Sequence, residues 1–322
     1  MSDRASPTER FRDWADSGLP VDSPGTVLTV GTFDGVHRGH WDLLARVAAR
    51  ARELSLDSVL LTFDPHPLEV VNPVAAPRLL TVGDERLEIL AESGIEYLAV
   101  LPFTPALSRY TAAQFVDEVL IRRFHVRQLV IGHDHGFGRG REGTADVLRE
   151  LGKSRGFGVE VVRPVTTPQQ LVISSTLIRR AVAGGDLATA AAGLGRRYSV
   201  SGVVTQGDRR GRLLGFPTAN ISPPDPRKLL PPEGVYAVVV QTPRGPFGGM
   251  MNLGPRPTFG DSHTSLEVHL FGEHTDLYGA RVRVEFVERL RDTRRFDSPD
   301  ALVAQLHRDA ERARSALTDV FA

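Results

Sequence analysis

The chain has 322 residues, 41% hydrophobic and 24% charged, with 39 basic and 39 acidic residues and no cysteine. Without cysteine there is no disulfide framework, thiolate nucleophile or thiolate metal site, and no apolar run reaches the roughly 20 residues that span a bilayer. Acidic residues are in slight excess up to Asp186 and basic ones beyond it, so neither half has the basic stripe of a nucleic-acid binder. This length exceeds the size at which one core stops growing, so two domains are expected. The start, "MSDRASPTERFRDWADSG", is polar and of mixed charge, which reads as a cytoplasmic protein rather than one with a signal peptide.

In chain order, "TVLTVGTF" (26–33) is a β-branched apolar run, the pattern of a buried parallel strand. A helix is expected over 41–55, where Leu43, Leu44, Val47, Ala48, Ala51 and Leu54 form one stripe. A strand running into a Pro-rich loop (57–67), a helix (83–93), a strand (97–101), a helix (111–124) and strands at 128–132 and 158–165 follow. Alternation of this kind predicts a doubly wound parallel sheet, with ligands beyond the carboxyl ends of its strands.

The stretch "VGTFDGVHRGH" (30–40) sits at such an end. Gly31, Gly35 and Gly39 let backbone approach a phosphate-bearing ligand, and His37 and His40 are spaced i, i+3, so a helix starting here turns both imidazoles to one side. Three readings are open: a metal-binding pair that lacks a third ligand nearby, two solvated histidines at a helix start, or two donors meeting phosphate at a helix N-terminus. The last requires a second anion site. "VISSTLIRRAVAGGD" (172–186) supplies a candidate: Ser174, Ser175 and Thr176 are cap residue types and Arg179 falls one turn into the helix. Alone it reads as an ordinary cap; paired with the histidines it favours phosphate binding.

Beyond a helical stretch at 185–198 the texture changes to short alternating segments separated by Gly and Pro. This predicts antiparallel strands in a compact barrel or sandwich. A terminal helix (298–317) opens with Ser298 as cap and Pro299 at the first position. The boundary is placed after Asp186, giving domains 1–186 and 187–322. In "GDRRGRLLGFPTANI", Gly207, Gly211 and Gly215 make a phosphate-compatible loop with Arg209, Arg210 and Arg212. Thr218 and Asn220 offer hard oxygen ligands on one side of an extended segment, suited to Mg²⁺ carried with ATP. Glu267, in an apolar strand, is either paired with an arginine or a general base aimed at a pocket.

"GTFDGVHRGH" with "ISSTLIR" resembles the signature pair of the HxGH nucleotidyltransferases. "LLTFDPHP", "AAQFVDEVL" and "VIGHDHGFGRGREGT" narrow the resemblance to the adenylyltransferase module of bacterial bifunctional riboflavin kinase/FAD synthetases. "GRLLGFPTANI", "GVYA", "NLGPRPTFG", "LEVHLFG" and "DLYG" resemble that family's kinase module. The resemblance implies an N-terminal doubly wound α/β nucleotidyltransferase domain and a C-terminal antiparallel β-barrel kinase domain closed by a helix. It implies riboflavin, FMN and ATP as substrates, FAD as product and Mg²⁺ as cofactor, with no nucleic-acid or membrane partner and a monomer or weak homo-oligomer. Catalytic roles fall to His37, His40 and Arg179 in the first domain and to Glu267, as base on the ribityl 5′-hydroxyl, in the second. Nucleotide contacts fall to Gly31, Phe33, Gly39, Ser174, Ser175, Thr176, Gly211, Thr218 and Asn220, the last two also serving the metal. Flavin contacts fall to Phe63, Pro65, Asp134, His135 and Phe137. His135 departs from the family's phenylalanine, and an imidazole there is expected to titrate near neutrality. Rival readings are an adenylyltransferase for another acceptor, a flavin sensor on the same folds, and a chain with one working site.

Overall fold

The computed structural model describes residues 19, 23–167, 170–206, 211, 214–222, 225–255, 264–272 and 277–321. Gly207, Arg209, Arg210 and Arg212 lie outside the described residues, as do parts of "NLGPRPTFG" and "DLYG". The chain divides into two compact units, Met1–Ser175 and Thr176–Ala322, a division eleven residues ahead of the Asp186 boundary read from composition and texture.

The first unit is built on a five-stranded sheet in the order β3-β2-β1-β4-β5. The strands are β1 (Thr26–Val30), β2 (Asp57–Asp64), β3 (Tyr97–Pro102), β4 (Val126–Gly132) and β5 (Gly158–Val162), and every pairing is parallel. Successive side chains point to opposite faces, and each face has its own core. Val27, Leu60, Leu98 and Val130 pack with Leu44, Val47 and Ala51 of α1 (Arg38–Leu54) and Ile89 and Leu90 of α3 (Gly83–Ala91). Leu28, Leu61, Leu129 and Ile131 pack on the other side with Phe115, Val116 and Leu120. These three belong to α4 (Ala112–Phe115) and the π-helical turn Val116–Ile121 that continues it. The sheet is thus doubly wound, as expected.

Two elements were not anticipated. The Pro-rich loop after β2 holds a short helix, α2 (Pro67–Val71), capped by His66. Helix α5 (Ala145–Arg155) occupies a stretch in which the sequence reading placed no element. Its first turn buries only Leu148 and a later turn only Gly152, so polar residues mask its period. Helices α6 (Ser175–Ala183) and α7 (Leu187–Leu194) follow.

The second unit contains a closed antiparallel barrel, β10-β7-β6-β11-β8-β9. Its strands are β6 (Ser199–Thr205), β7 (Ala219–Ile221), β8 (Gly234–Thr242), β9 (Gly245–Pro255), β10 (Thr264–Leu270) and β11 (Arg281–Arg291). Closure pairs every described strand of the barrel on both sides, which removes the open edges of a flat sheet. Tyr236, Met251, Leu253, Leu266, Val268 and Phe286 are buried, alternating along their strands with residues of the other face. On that other face Val235, Ala237, Val239 and Met250 pack against Ala310, Ala313 and Leu317 of the terminal helix α8 (Pro299–Leu317). The helix starts as expected, with Ser298 accepting from the Ala301 N–H and Pro299 in the first turn. A clamp fixes it: fully buried Asp309 accepts from Arg291 at 2.7 and 2.9 Å and from the Gln305 amide at 2.7 Å.

Candidate active sites

In the first unit, the chain leaving β1 folds tightly. Phe33 and Val36 have φ of 48° and 41°, and Gly35 has 81°, so three of four consecutive residues sit in the left-handed region. The loop is held by Asp34, whose carboxylate accepts from the Leu80 and Thr81 N–H groups at 2.7 and 3.1 Å. The Thr81 hydroxyl in turn accepts from the Gly35 N–H at 3.0 Å. The Asp34 carbonyl accepts from the Ser175 hydroxyl at 2.9 Å, which ties the start of α6 to this loop.

His37 is the N-cap of α1, and the two imidazoles cap reciprocally. The Nδ1 of His37 accepts from the His40 N–H and the Nδ1 of His40 from the His37 N–H, each at 3.3 Å. The rings stack with centroids 3.6 Å apart and planes 16° from parallel, and Phe33 lies 5.0 Å from the His40 ring. Since each Nδ1 accepts, the network assigns the proton of each neutral ring to Nε2. Glycine suits position 39, because a Cβ there would stand 3.2 Å from the His37 Nδ1 and press on that ring. His37 is buried, so the reading of two solvated histidines does not hold. Among the described residues no group of three or more His, Asp or Glu is arranged to hold a metal.

Of the other residues expected to serve the nucleotide, Gly31 directly follows β1, and Ser174 and Ser175 lie at the mouth of α6. Thr176 and Arg179 follow on that helix. The residues expected to meet flavin form an aromatic chain. Phe63, at the end of β2, contacts Phe103 and Phe115 at 5.3 and 6.3 Å. Phe115 contacts Phe137 at 4.8 Å, and Phe137 meets the edge of His135 at 5.5 Å. Pro65 follows β2 directly, and Asp134 is exposed, its carbonyl accepting from Arg141 at 2.7 Å. His135 corrects one expectation. Its Nε2 is sealed from water with no hydrogen-bond partner, and burial lowers its pKa to about 4, outweighing the attraction of Asp134. It stays neutral at pH 7 rather than titrating there.

In the second unit, antiparallel register places Glu267 of β10 directly opposite Asn220 of β7 on one side and Asn252 of β9 on the other. Directly paired residues share a face, so the carboxylate lies between two amides in a row Asn220–Glu267–Asn252. The row continues to Val235, which packs against the cluster under α8, so Glu267 faces outward from the barrel rather than into it. The Ser265 hydroxyl donates to the Glu267 Oε1 at 3.1 Å. His269, two residues on, donates from Nδ1 to the Pro217 carbonyl (2.8 Å) and packs edge-on against Phe216, which holds the Phe216–Asn220 segment beside β10. Gly211 is held by bonds from the Leu214 and Phe216 N–H groups to its carbonyl. A Cβ there would collide with the Phe216 carbonyl, so this loop is built for glycine. Among the described residues no arginine pairs with Glu267, whereas the clamp carboxylate of this unit, Asp309, has Arg291.

The family model described as FAD synthetase matches residues 19–177, and that described as riboflavin kinase matches residues 194–317. The curated bifunctional riboflavin kinase/FMN adenylyltransferase of Escherichia coli (strain K12) is 40% identical over 291 residues, 90% of this chain and 92% of that protein. This chain belongs to the bifunctional riboflavin kinase/FMN adenylyltransferase family. The Bacillus subtilis (strain 168) member is 33% identical over 294 residues, 89% of this chain and 91% of its own. A crystal structure described as a macrolide-efflux protein from Streptococcus pneumoniae is 33% identical with a TM-score of 0.82, covering 94% of this chain and 97% of that one. No helix among the described residues is long and apolar enough to cross a membrane.

For this riboflavin kinase/FMN adenylyltransferase family member, the sequence reading missed Asp34 and Thr81, which fasten the histidine loop, and Asn252, which flanks Glu267. Asp34 lay inside a quoted motif, yet its partners stand more than forty residues away. Asn252 becomes visible only once the strand register is known.

Proposed function

We propose that this chain makes FAD in two steps. In the second unit, riboflavin is phosphorylated by ATP to give FMN and ADP. In the first unit, the FMN phosphate attacks the α-phosphate of a second ATP to give FAD and pyrophosphate. The observation that carries this reading is that both family regions lie in one chain in that order; the stacked pair His37–His40 in the first and the pairing of Glu267 with Asn220 in the second support it.

For the kinase step, Glu267 accepts the proton of the ribityl 5′-hydroxyl as that oxygen attacks the γ-phosphate, and Asn220 and Asn252 orient the carboxylate and the groups around it. Thr218 and Asn220 are the residues that would hold Mg²⁺, together with ATP oxygens. Their donor set is neutral oxygen, which suits a hard cation that keeps few protein ligands. Bound Mg²⁺ supplies neutralisation of phosphate charge, the main requirement of phosphoryl transfer.

For adenylyl transfer, no protein nucleophile is needed. His37 and His40 donate through Nε2 to the transferring phosphate, while Gly31, Phe33 and Gly39 shape the nucleotide loop. Ser174, Ser175, Thr176 and Arg179 hold the departing pyrophosphate. Phe63, Phe137 and His135 provide the flat apolar wall for the isoalloxazine, with Pro65 and Asp134 at its border. The functional boundary between the modules is proposed after Asp186, and the enzyme is proposed to act in the cytoplasm as a monomer or weak homo-oligomer without nucleic acid.

A chromatographic time course with riboflavin, ATP and Mg²⁺ tests the assignment. Wild type should yield FMN and then FAD. Glu267→Gln should leave riboflavin untouched yet still convert added FMN, and His40→Ala should stop at FMN, its second step slowed about 10²–10³-fold. Wild type that adenylylates FMN but ignores riboflavin would reduce the second unit to a binding module.

A further inference from the structure

Arg86, on α3, is buried to 5% exposure although it carries a full charge and belongs to none of the residues given a role above. Burying a guanidinium is costly unless its donors are well used. Two are spent on backbone: Nη1 donates to the Thr32 carbonyl at 3.1 Å and Nη2 to the Phe63 carbonyl at 3.0 Å. These carbonyls belong to different strands. In the β1–β2 register Val30 stands opposite Leu61, so Thr32 and Phe63 lie abreast just beyond it, past the Gly31 N–H to Leu61 carbonyl bond at 3.0 Å. The Thr62 hydroxyl also donates to the Thr32 carbonyl, at 3.3 Å.

The position decides what the clamp does. The Thr32 carbonyl belongs to the peptide leading into Phe33, where φ turns positive and the histidine loop begins. The Phe63 carbonyl belongs to the peptide leading into Asp64 and Pro65, where the flavin-side segment begins. One rigid guanidinium therefore joins the two segments that carry the nucleotide and flavin residues, at the carboxyl end of the sheet where ligands of such folds sit.

We propose that Arg86 is a positioning residue for adenylyl transfer, setting the separation and orientation of the nucleotide loop relative to the flavin segment. The inference rests on the reading that adenylyl transfer occurs at this site. Arg86 does not bind either substrate; it aligns the FMN phosphate with the α-phosphate by holding the peptides upstream of both loops. Lysine keeps the charge but has a single ammonium in place of the planar fork, so it cannot hold both carbonyls in the same geometry.

The test uses the full chain as wild type, Arg86→Lys and Arg86→Gln. It measures kcat and both KM values for FAD formation from FMN and MgATP, riboflavin phosphorylation by the same preparations, and the thermal midpoint. For Arg86→Lys we expect kcat for adenylyl transfer to fall about 10–100-fold, since ångström-scale misplacement costs on this order. Both KM values should stay within about threefold and the kinase step should be unchanged. A lowered midpoint with normal kcat, or failure of both variants to fold, would mark Arg86 as purely structural and overturn the inference. A rise in one KM alone would make it a substrate contact and overturn it too. Wild type that makes no FAD from FMN would overturn the underlying reading as well, whereas an active wild type with unaffected variants removes the inference alone.

Discussion

At the scale of single residues, the two histidines of the first unit are positioned by each other. Each ring fills its Nδ1 with the other's backbone N–H, so the orientation of both rings is fixed by the helix start itself. The i, i+3 spacing was readable from sequence because a helix start imposes it. The stack and the reciprocal cap were not, since they depend on a loop with positive φ at Phe33, Gly35 and Val36 and on Asp34 bonding to residues far along the chain. His135 shows a different limit. Its identity was plain, but its behaviour is set by burial: the pKa is lowered to about 4 from 6.5. Between these values the unfolded chain takes up a proton that the folded chain refuses, so stability is lost as pH falls from 6.5 toward 4. Urea unfolding at pH 7 and pH 5 should show wild type losing more stability than His135→Phe over that interval. Equal losses in the two proteins would show that the imidazole is solvated.

At the scale of elements, the strands and helices with a clean apolar period were legible, because burial of one face or of both leaves a direct mark on the sequence. Helix α5 escaped because it buries little, and the row Asn220–Glu267–Asn252 escaped because register joins strands whose separation in sequence says nothing about which residues meet. The same holds for the clamp on α8. Asp309 and Arg291 are 18 residues apart, and neither stands out as anything but a surface charge until the helix folds back on β11. Removing the carboxylate leaves a largely buried guanidinium without its partner. Asp309→Ala should cost about 3–5 kcal/mol of stability in the second unit. Denaturant unfolding followed by the kinase activity measures this; a loss below about 1 kcal/mol would place the pair among surface ion pairs.

At the scale of the whole molecule, two active units in one chain raise the question of whether FMN must stay bound between steps. Each unit has its own core, and the candidate residues for the two reactions lie on separate structural features, the start of α1 and the outer face of the barrel. If FMN is released, Glu267→Gln and His40→Ala chains, each unable to turn riboflavin into FAD alone, should do so when mixed, after a lag set by accumulating FMN. Mixed chains that make FMN but no FAD would show that the intermediate is retained within one chain.

Strand β10 is bonded to a neighbour on each side along the stretch that carries Glu267. The backbone beneath that carboxylate therefore cannot fray singly, as a loop does; it is released only when the barrel itself opens. Deuterium uptake at these amides would then be a clock for the unfolding of the whole second unit, running slowly while substrates come and go above it.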